Sequence, residues 1–349
     1  MKNSNKTGYV YDPIFLKHDQ AVHPENAKRL EAIIEELKST GLLNEMIQVP
    51  SRYAMDEEIM LVHSKSYINY VKELCKAGGG YFDGDTYATS KSFDAAATAA
   101  GSIIDLGLNI AKEKLKNGFA LLRPPGHHSL SDRAMGFCIF SNAAIAAKSI
   151  QKETEINRIA IVDFDVHHGN GTEEIFSNDP NVLYVSSHQF PHYPGTGSIK
   201  ETGREDGNRN IVNIPLPAFS GDNSIKLLYE EILTPILNQF MPEMIIVSAG
   251  YDCHWNDPLA NFGFSLNGIA WISEYLVKLA DKFCGGKILF TLEGGYNLDV
   301  LKNGVANSVR ALLGRDDFSD PMGRSPRPEP NISGLLDRLK YIYNLRYTT

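Results

Sequence analysis

Cysteine is scarce in this chain of 349 residues: Cys75, Cys138, Cys253 and Cys284 stand apart, with no C-x-x-C pair among them. That spacing excludes a disulfide-built scaffold, and reduced thiols in a cytoplasmic protein are the expectation. Basic residues are outnumbered, 34 Lys and Arg against 42 Asp and Glu, for a formal net charge of −8. Such a surface offers little to nucleic acid or an anionic membrane, so neither is expected as a partner. No apolar run approaches the roughly 20 residues of a membrane-spanning helix. Met1–Thr7 is polar, without the apolar centre of a secretion signal. The glycine-rich stretch Gly78–Thr86 lacks the lysine of a phosphate loop, which argues against a nucleotide site and leaves a flexible acidic loop carrying Asp83 and Asp85.

What is present is an alternation of short apolar runs with helical patterns. Strands are expected at Tyr9–Tyr11, Phe119–Leu122, Ile159–Asp163, Val182–Val185, Asn210–Ile214, Met244–Ser248 and Lys287–Thr291. Helices are expected at Asn26–Thr40, Lys65–Lys76, Phe93–Lys116, Ser141–Lys152, Asn223–Phe240, Gly268–Phe283 and Asp299–Leu313. Strands alternating with helices imply an α/β protein whose parallel sheet is covered on both faces. No linker or repeat interrupts the pattern, so residues 1–349 read as one domain. In such a sheet, ligands bind beyond the carboxyl ends of the strands.

The polar residues of interest fall at those ends. Side chains two apart in an extended segment point the same way, so Asp163, Asp165 and His167 line one face. An Asp and a His there suit a divalent metal that accepts oxygen and nitrogen, and Asp252, after a different strand, completes a three-ligand set with an open position. Such an ion would polarise a carbonyl and lower the pKa of bound water. The paired His127 and His128, after Arg-Pro-Pro-Gly, fit a general base and a general acid. Asp163 and Asn170 have the chemistry to orient their second nitrogens, and an Asp partner favours imidazolium more than an Asn does. Tyr296, after Glu-Gly-Gly, is placed to donate a hydrogen bond to a developing oxyanion.

Arg-Pro-Pro-Gly-His127-His128, Gly136-Phe137-Cys138, Asp163-Phe-Asp165-Val-His167-His168-Gly-Asn170-Gly-Thr172, Tyr193-Pro-Gly-Thr-Gly197, Ser248-Ala-Gly-Tyr-Asp252 and Leu292-Glu-Gly-Gly-Tyr296 together resemble the signature set of the zinc-dependent histone deacetylases. The resemblance runs from about Tyr9 to about Arg310, and Asn170 in place of Asp resembles the class II branch and its prokaryotic relatives. It implies a three-layer α/β/α, arginase-like fold with a central eight-stranded parallel sheet. It implies zinc on Asp165, His167 and Asp252, His127 and His128 as the acid–base pair, and Tyr296 as electrophilic donor. A potassium or sodium ion would sit against Asp163, Asp165, His167, Ser186 and Ser187. Gly136, Phe137, Tyr193 and Leu259 match the family's narrow tunnel for an acyl-lysine stem. Tyr193 stands where phenylalanine is common.

The resemblance points to removal of acetyl, or a related acyl group, from a lysine of a peptide or protein, with a homo-oligomer left open. Three rivals stand beside it. An acetylpolyamine amidohydrolase wants an acid at the tunnel mouth; one branch has glutamate where Leu259 stands, and Asp83 or Asp85 would have to substitute. A binuclear arginase-type hydrolase needs more bridging carboxylates. A non-catalytic acyl-lysine binder would have no use for His127, His128 and Tyr296 beside three intact ligands.

Overall fold

The computed structural model describes residues 6–203 and 209–345; the polar start, Met1–Asn5, lies outside them. The strands in chain order are β1 (Thr7–Val10), β2 (Ile47–Gln48), β3 (Gly79–Tyr81), β4 (Tyr87–Thr89), β5 (Asn117–Ala120), β6 (Ile159–Asp163), β7 (Val182–Gln189), β8 (Ile211–Leu216), β9 (Met244–Ala249) and β10 (Ile288–Leu292). Eight of them form one sheet in the order β2-β1-β5-β10-β9-β6-β7-β8. Every pairing in it is parallel.

The central strands β6, β9 and β10 are buried along their whole length, with no polar face. That follows from cover on both sides, where alternation has no solvent to answer to. One helical layer contains Ala27–Ser39, Leu298–Leu312 and Leu266–Cys284, packed in that order; the other packs Ser92–Ala111 against Asn142–Glu153. Strands β5 and β9 each touch a helix from both layers. The first helix buries Leu30, Ile33, Ile34 and Leu37, one stripe at helical spacing, and the Asn26 side chain caps its start. No helix among the described residues is long and apolar enough to cross a membrane.

Four expectations need correction. Gly78–Thr86 is not simply a loop: β3 and β4 pair antiparallel as a separate ribbon. Gly79 adopts φ +102, and a Cβ there would lie 2.3 Å from the Ala88 carbonyl, a contact invisible to residue periodicity. The alanine-rich helix ends at Ala111 rather than Lys116, because the amides of Lys114 and Leu115 turn back onto Asn109 O. The expected helix Asn223–Phe240 is divided into Asp222–Leu228, a wider turn at Tyr229–Leu233, and Thr234–Phe240 with Pro235 in its first turn. Proline cannot donate the helical hydrogen bond there. Strand β7 continues past Val185 to Gln189, so Ser186 and Ser187 lie within it, held in register with β8. A further helix, Ser333–Ile342, follows the sheet.

Candidate active site

The parallel sheet brings its carboxyl ends together, and the expected residues meet there. Asp163 ends β6; Asp165 and His167 follow it; Asn170 begins the helix Asn170–Phe176; Asp252 follows β9 and Tyr296 follows β10. His127 and His128 come from the loop between β5 and the helix Asn142–Glu153.

Asp165, His167 and Asp252 each offer one ligand atom, all within 4.8 Å of one another. His167 Nδ1 lies 3.1 Å from Asp165 Oδ1 and 3.3 Å from Asp252 Oδ2. Both carboxylates are fully buried, and Asp252 Oδ2 takes no hydrogen bond. Burial first, then the charge of Asp165, pushes the Asp252 carboxyl up to about 7. Burial pulls His167 down, but the hydrogen bond to Asp165 and the nearby carboxylate of Asp252 outweigh it and lift the imidazole to about 10. Two buried carboxylates thus press on each other and draw a proton to the imidazole, the electrostatic demand that a divalent cation meets. The room is cut for these oxygens: a Cβ at Gly294 would stand 2.0 Å from Asp252 Oδ2, and one at Gly250 2.1 Å from Asp165 Oδ2. Donor chemistry, orphaned oxygen and glycine cradle all fit zinc.

His127 Nδ1 lies 3.1 Å from Asp163 Oδ2, and its Nε2 lies 3.9 Å from Asp165 Oδ1. Burial opposes its charge, but Asp165 and Asp163 overcome that and raise it to about 10. His128 Nδ1 faces Asn170 Oδ1 at 2.8 Å, while Asn170 Nδ2 points to Met135 Sδ. Burial, then the charges of His127 and His167, drive the His128 imidazole well below its usual range. Neighbouring histidines thus differ in charge because two carboxylates flank His127, whereas His128 is buried between the charges of His127 and His167.

Tyr296 lies edge-on to Phe137 at 5.8 Å, with the Arg29 guanidinium 5.0 Å over its ring. Burial first, then Asp252, raises its phenol well above the usual value, so it remains a donor. A cavity of about 230 Å³ opens onto this floor, lined by Asp85, His128, Gly136, Phe137, His167, His192, Tyr193, Leu259 and Tyr296. It contains all four residues expected for the tunnel. Larger surface clefts exist, such as one of about 490 Å³ beside Asp222 and Lys226, but they hold none of these groups. In β7, Ser186 Oγ is bonded to His188 Nδ1, and Ser187 Oγ reaches Tyr229 Oη and the Asp163 carbonyl. The five residues expected around a monovalent ion are therefore neighbours, though both hydroxyls already have protein partners.

Four supporting residues escaped the sequence reading. Glu293 Oε2 accepts from the backbone of Gly126 and His127, tying the histidine loop to β10. Arg29 donates to the carbonyls of Glu293 and Gly295, just before Tyr296. Glu25, fully buried, pairs with Arg29 at 3.0 Å and with Arg123 at 2.5 Å. His192 stacks on His167 with ring centres 5.2 Å apart. Only the Glu in Leu-Glu-Gly-Gly-Tyr296 offered a local hint, since it lies within a motif; Arg29 reaches Glu293 across 264 residues, Glu25 reaches Arg123 across 98, and nothing in the local pattern pairs His192 with His167.

Residues 23–312 match the family described as the histone deacetylase domain. Histone deacetylase 14, chloroplastic, of Arabidopsis thaliana is 38% identical, over 95% of this chain and 83% of its own length. A probable deacetylase of Archaeoglobus fulgidus is 38% identical, over 84% of this chain and 82% of its own length. Among solved structures, the HDA15 HD domain superposes with a TM-score of 0.88 at 34% identity, covering 98% of this chain and 94% of that one. The eight-stranded sheet with its flanking helices is therefore the arginase/deacetylase-like fold. Sequence, sheet and site agree: this chain belongs to the histone deacetylase family.

Proposed function

We propose that the protein is a zinc-dependent deacylase that hydrolyses the amide of N-acetyl-lysine, or a related N-acyl-lysine, in peptides or proteins. The observation that carries this reading is the meeting of Asp165, His167 and Asp252 with His128 and Tyr296 at the floor of one cavity of about 230 Å³. Zinc held by those three ligands would supply a Lewis acid that polarises the amide carbonyl and acidifies the attacking water.

The remaining chemistry belongs to side chains. His128 donates from Nδ1 to Asn170, which leaves Nε2 with its lone pair to take a proton from water. It returns that proton to the departing amine. His127, between Asp163 and Asp165, stays cationic and balances the negative charge that develops beside it. Tyr296 donates its phenolic hydrogen to the carbonyl oxygen as the carbon becomes tetrahedral. Phe137, Tyr193 and Leu259 exclude water and enclose an acyl-lysine stem, whose charge is lost on acylation.

A structural potassium or sodium ion beside Asp163, Asp165, His167, Ser186 and Ser187 is part of the same reading. So is a single deacetylase domain: the helix Leu298–Leu312 packs against Ala27–Ser39, joining the two ends of the sheet-forming chain. Four free, buried cysteines support a cytoplasmic location.

Asp85 on the cavity wall favours a second reading, an acetylpolyamine amidohydrolase, because a carboxylate there can hold a distal ammonium. Rates on acetyl-lysine peptides, longer acyl-lysine peptides and acetylspermidine, with and without a chelator, decide the matter. Preferred, chelator-sensitive turnover of acyl-lysine peptides is expected. Preferred turnover of acetylspermidine would establish the second reading instead, and no turnover of any substrate by the zinc-loaded protein would end both.

A further inference from the structure

We propose that Asp257 is a positioning residue: its carboxylate ties the backbone of Tyr296 to the tunnel wall at Leu259 and so sets where the phenol stands. The inference rests on the deacylase reading and adds to it a residue outside the metal, histidine and tyrosine set.

Asp257 lies in the loop after β9 and is only 6% exposed. Its Oδ2 accepts from Tyr296 N at 2.7 Å and from Asn297 N at 3.2 Å. Its Oδ1 accepts from Leu259 N at 3.0 Å. One buried carboxylate therefore joins the loop after β9 to the loop after β10. A second tie runs parallel, since Asn297 Nδ2 donates to Asn256 O at 3.0 Å. Leu259 is held from its other side as well, its carbonyl 3.2 Å from His192 Nε2. The His192 ring in turn lies nearly flat on His167, at 17° between planes. Contacts thus run along one wall of the cavity from Tyr296 through Asp257, Leu259 and His192 to His167.

The need for such a brace comes from the chain itself. Gly294 and Gly295 precede Tyr296, and Gly295 adopts φ +117, so local backbone preference does little to fix the tyrosine. Arg29 holds this segment through the carbonyl of Gly295, and Asp257 holds it through the next residue's amide. Because Asp257 grips main chain on both loops, it acts on the reaction through Tyr296, whose misplacement by about 1 Å is enough to cost about 100-fold in rate. Asparagine has one accepting oxygen, so its amide NH2 would be turned against an N–H of one loop or the other.

The test is a double-mutant cycle on an acetyl-lysine peptide, using wild type, Asp257→Asn, Tyr296→Phe and the double variant, with bound zinc measured in each. Asp257→Asn should lower kcat about 10- to 100-fold at unchanged zinc content. In the Tyr296→Phe background the same change should alter kcat by less than about twofold, because the group it places is gone. Equal losses in both backgrounds, no loss in the wild-type background, or a fall in zinc content would overturn the inference while leaving the deacylase reading intact. A zinc-loaded wild type without turnover would sink both. If Asp257→Asn does not fold, Asp257→Glu, which keeps the charge and moves it by one methylene, completes the same cycle.

Discussion

The rings of His127 and His128 lie 4.0 Å apart, centre to centre, yet only His127 has a carboxylate behind it. His128 has the neutral Asn170 instead, which does not offset the burial and the charges of His127 and His167 that keep its imidazole neutral. Asn170→Asp places a negative charge on that Nδ1, which favours imidazolium and raises the His128 pKa. The base is then protonated at higher pH. The acidic limb of the kcat/KM profile should move upward in pH, with reduced activity at neutrality. An unmoved limb would show that His128 is not the group whose deprotonation activity requires.

Metal removal should act on both rate and stability. A chelator is expected to abolish turnover, and zinc to restore it. Because zinc would bind the folded cradle, free zinc at 100 times its dissociation constant should raise unfolding free energy by about 2.7 kcal/mol. Denaturant melts with and without zinc measure this. Asp252→Asn should remove most of that gain, since it deletes the carboxylate whose Oδ2 now has no hydrogen-bond partner.

Gly294 offers a sharper steric test of the same cradle. The alanine Cβ would stand 2.0 Å from Asp252 Oδ2 and 2.6 Å from Asp165 Oδ2, closer than nonbonded atoms approach. Gly294→Ala should therefore weaken zinc binding by at least the roughly 10- to 100-fold typical of disturbed outer-sphere partners. Competitive titration against a chelating dye reads this directly, and unchanged affinity would refute the cradle.

Acid should weaken the fold through buried histidines away from the metal cradle. Burial holds His63 at about 4, below its ordinary 6.5. Its geometry agrees: Ser141 N donates to Nε2 at 2.9 Å while Nδ1 faces the Leu130 carbonyl, an arrangement only neutral imidazole satisfies. The folded pKa is depressed, so its contribution is fully present above 6.5 and is lost as pH falls through about 4. Urea midpoints should drop between pH 7 and pH 5, and His63→Gln, which retains a donor and an acceptor, should show a smaller drop.

Glu25 behaves as the carboxylate counterpart. Burial raises its pKa, but Arg123 and Arg29 outweigh that and hold it at about 2. Its contribution is present above about 4.5 and is lost as pH falls through 2. Glu25→Gln leaves two guanidinium groups buried beside a neutral amide and should cost about 3–5 kcal/mol at pH 7. Because Arg29 also holds Gly295, turnover should fall with it, which parallel melts and assays would show.

Much was legible in the order of residues. Parallel strands covered on both faces announce themselves as short unbroken apolar runs, and helices bury stripes such as Leu30, Ile33, Ile34 and Leu37. Asp165 and His167, two apart after β6, and motifs at strand ends mark a candidate site because local geometry alone puts those side chains on one face. Pairings that join distant segments leave no such mark. The continuation of β7 through Ser187 beside β8, and the bridge from Asp257 to Tyr296, exist because segments far apart along the chain meet. Periodicity reports only what a residue does relative to its near neighbours. The charge difference between His127 and His128, and the meeting of Asp165, His167 and Asp252 beside one cavity, arise from groups brought together across the fold, where burial and Coulomb forces act by distance in space rather than along the chain.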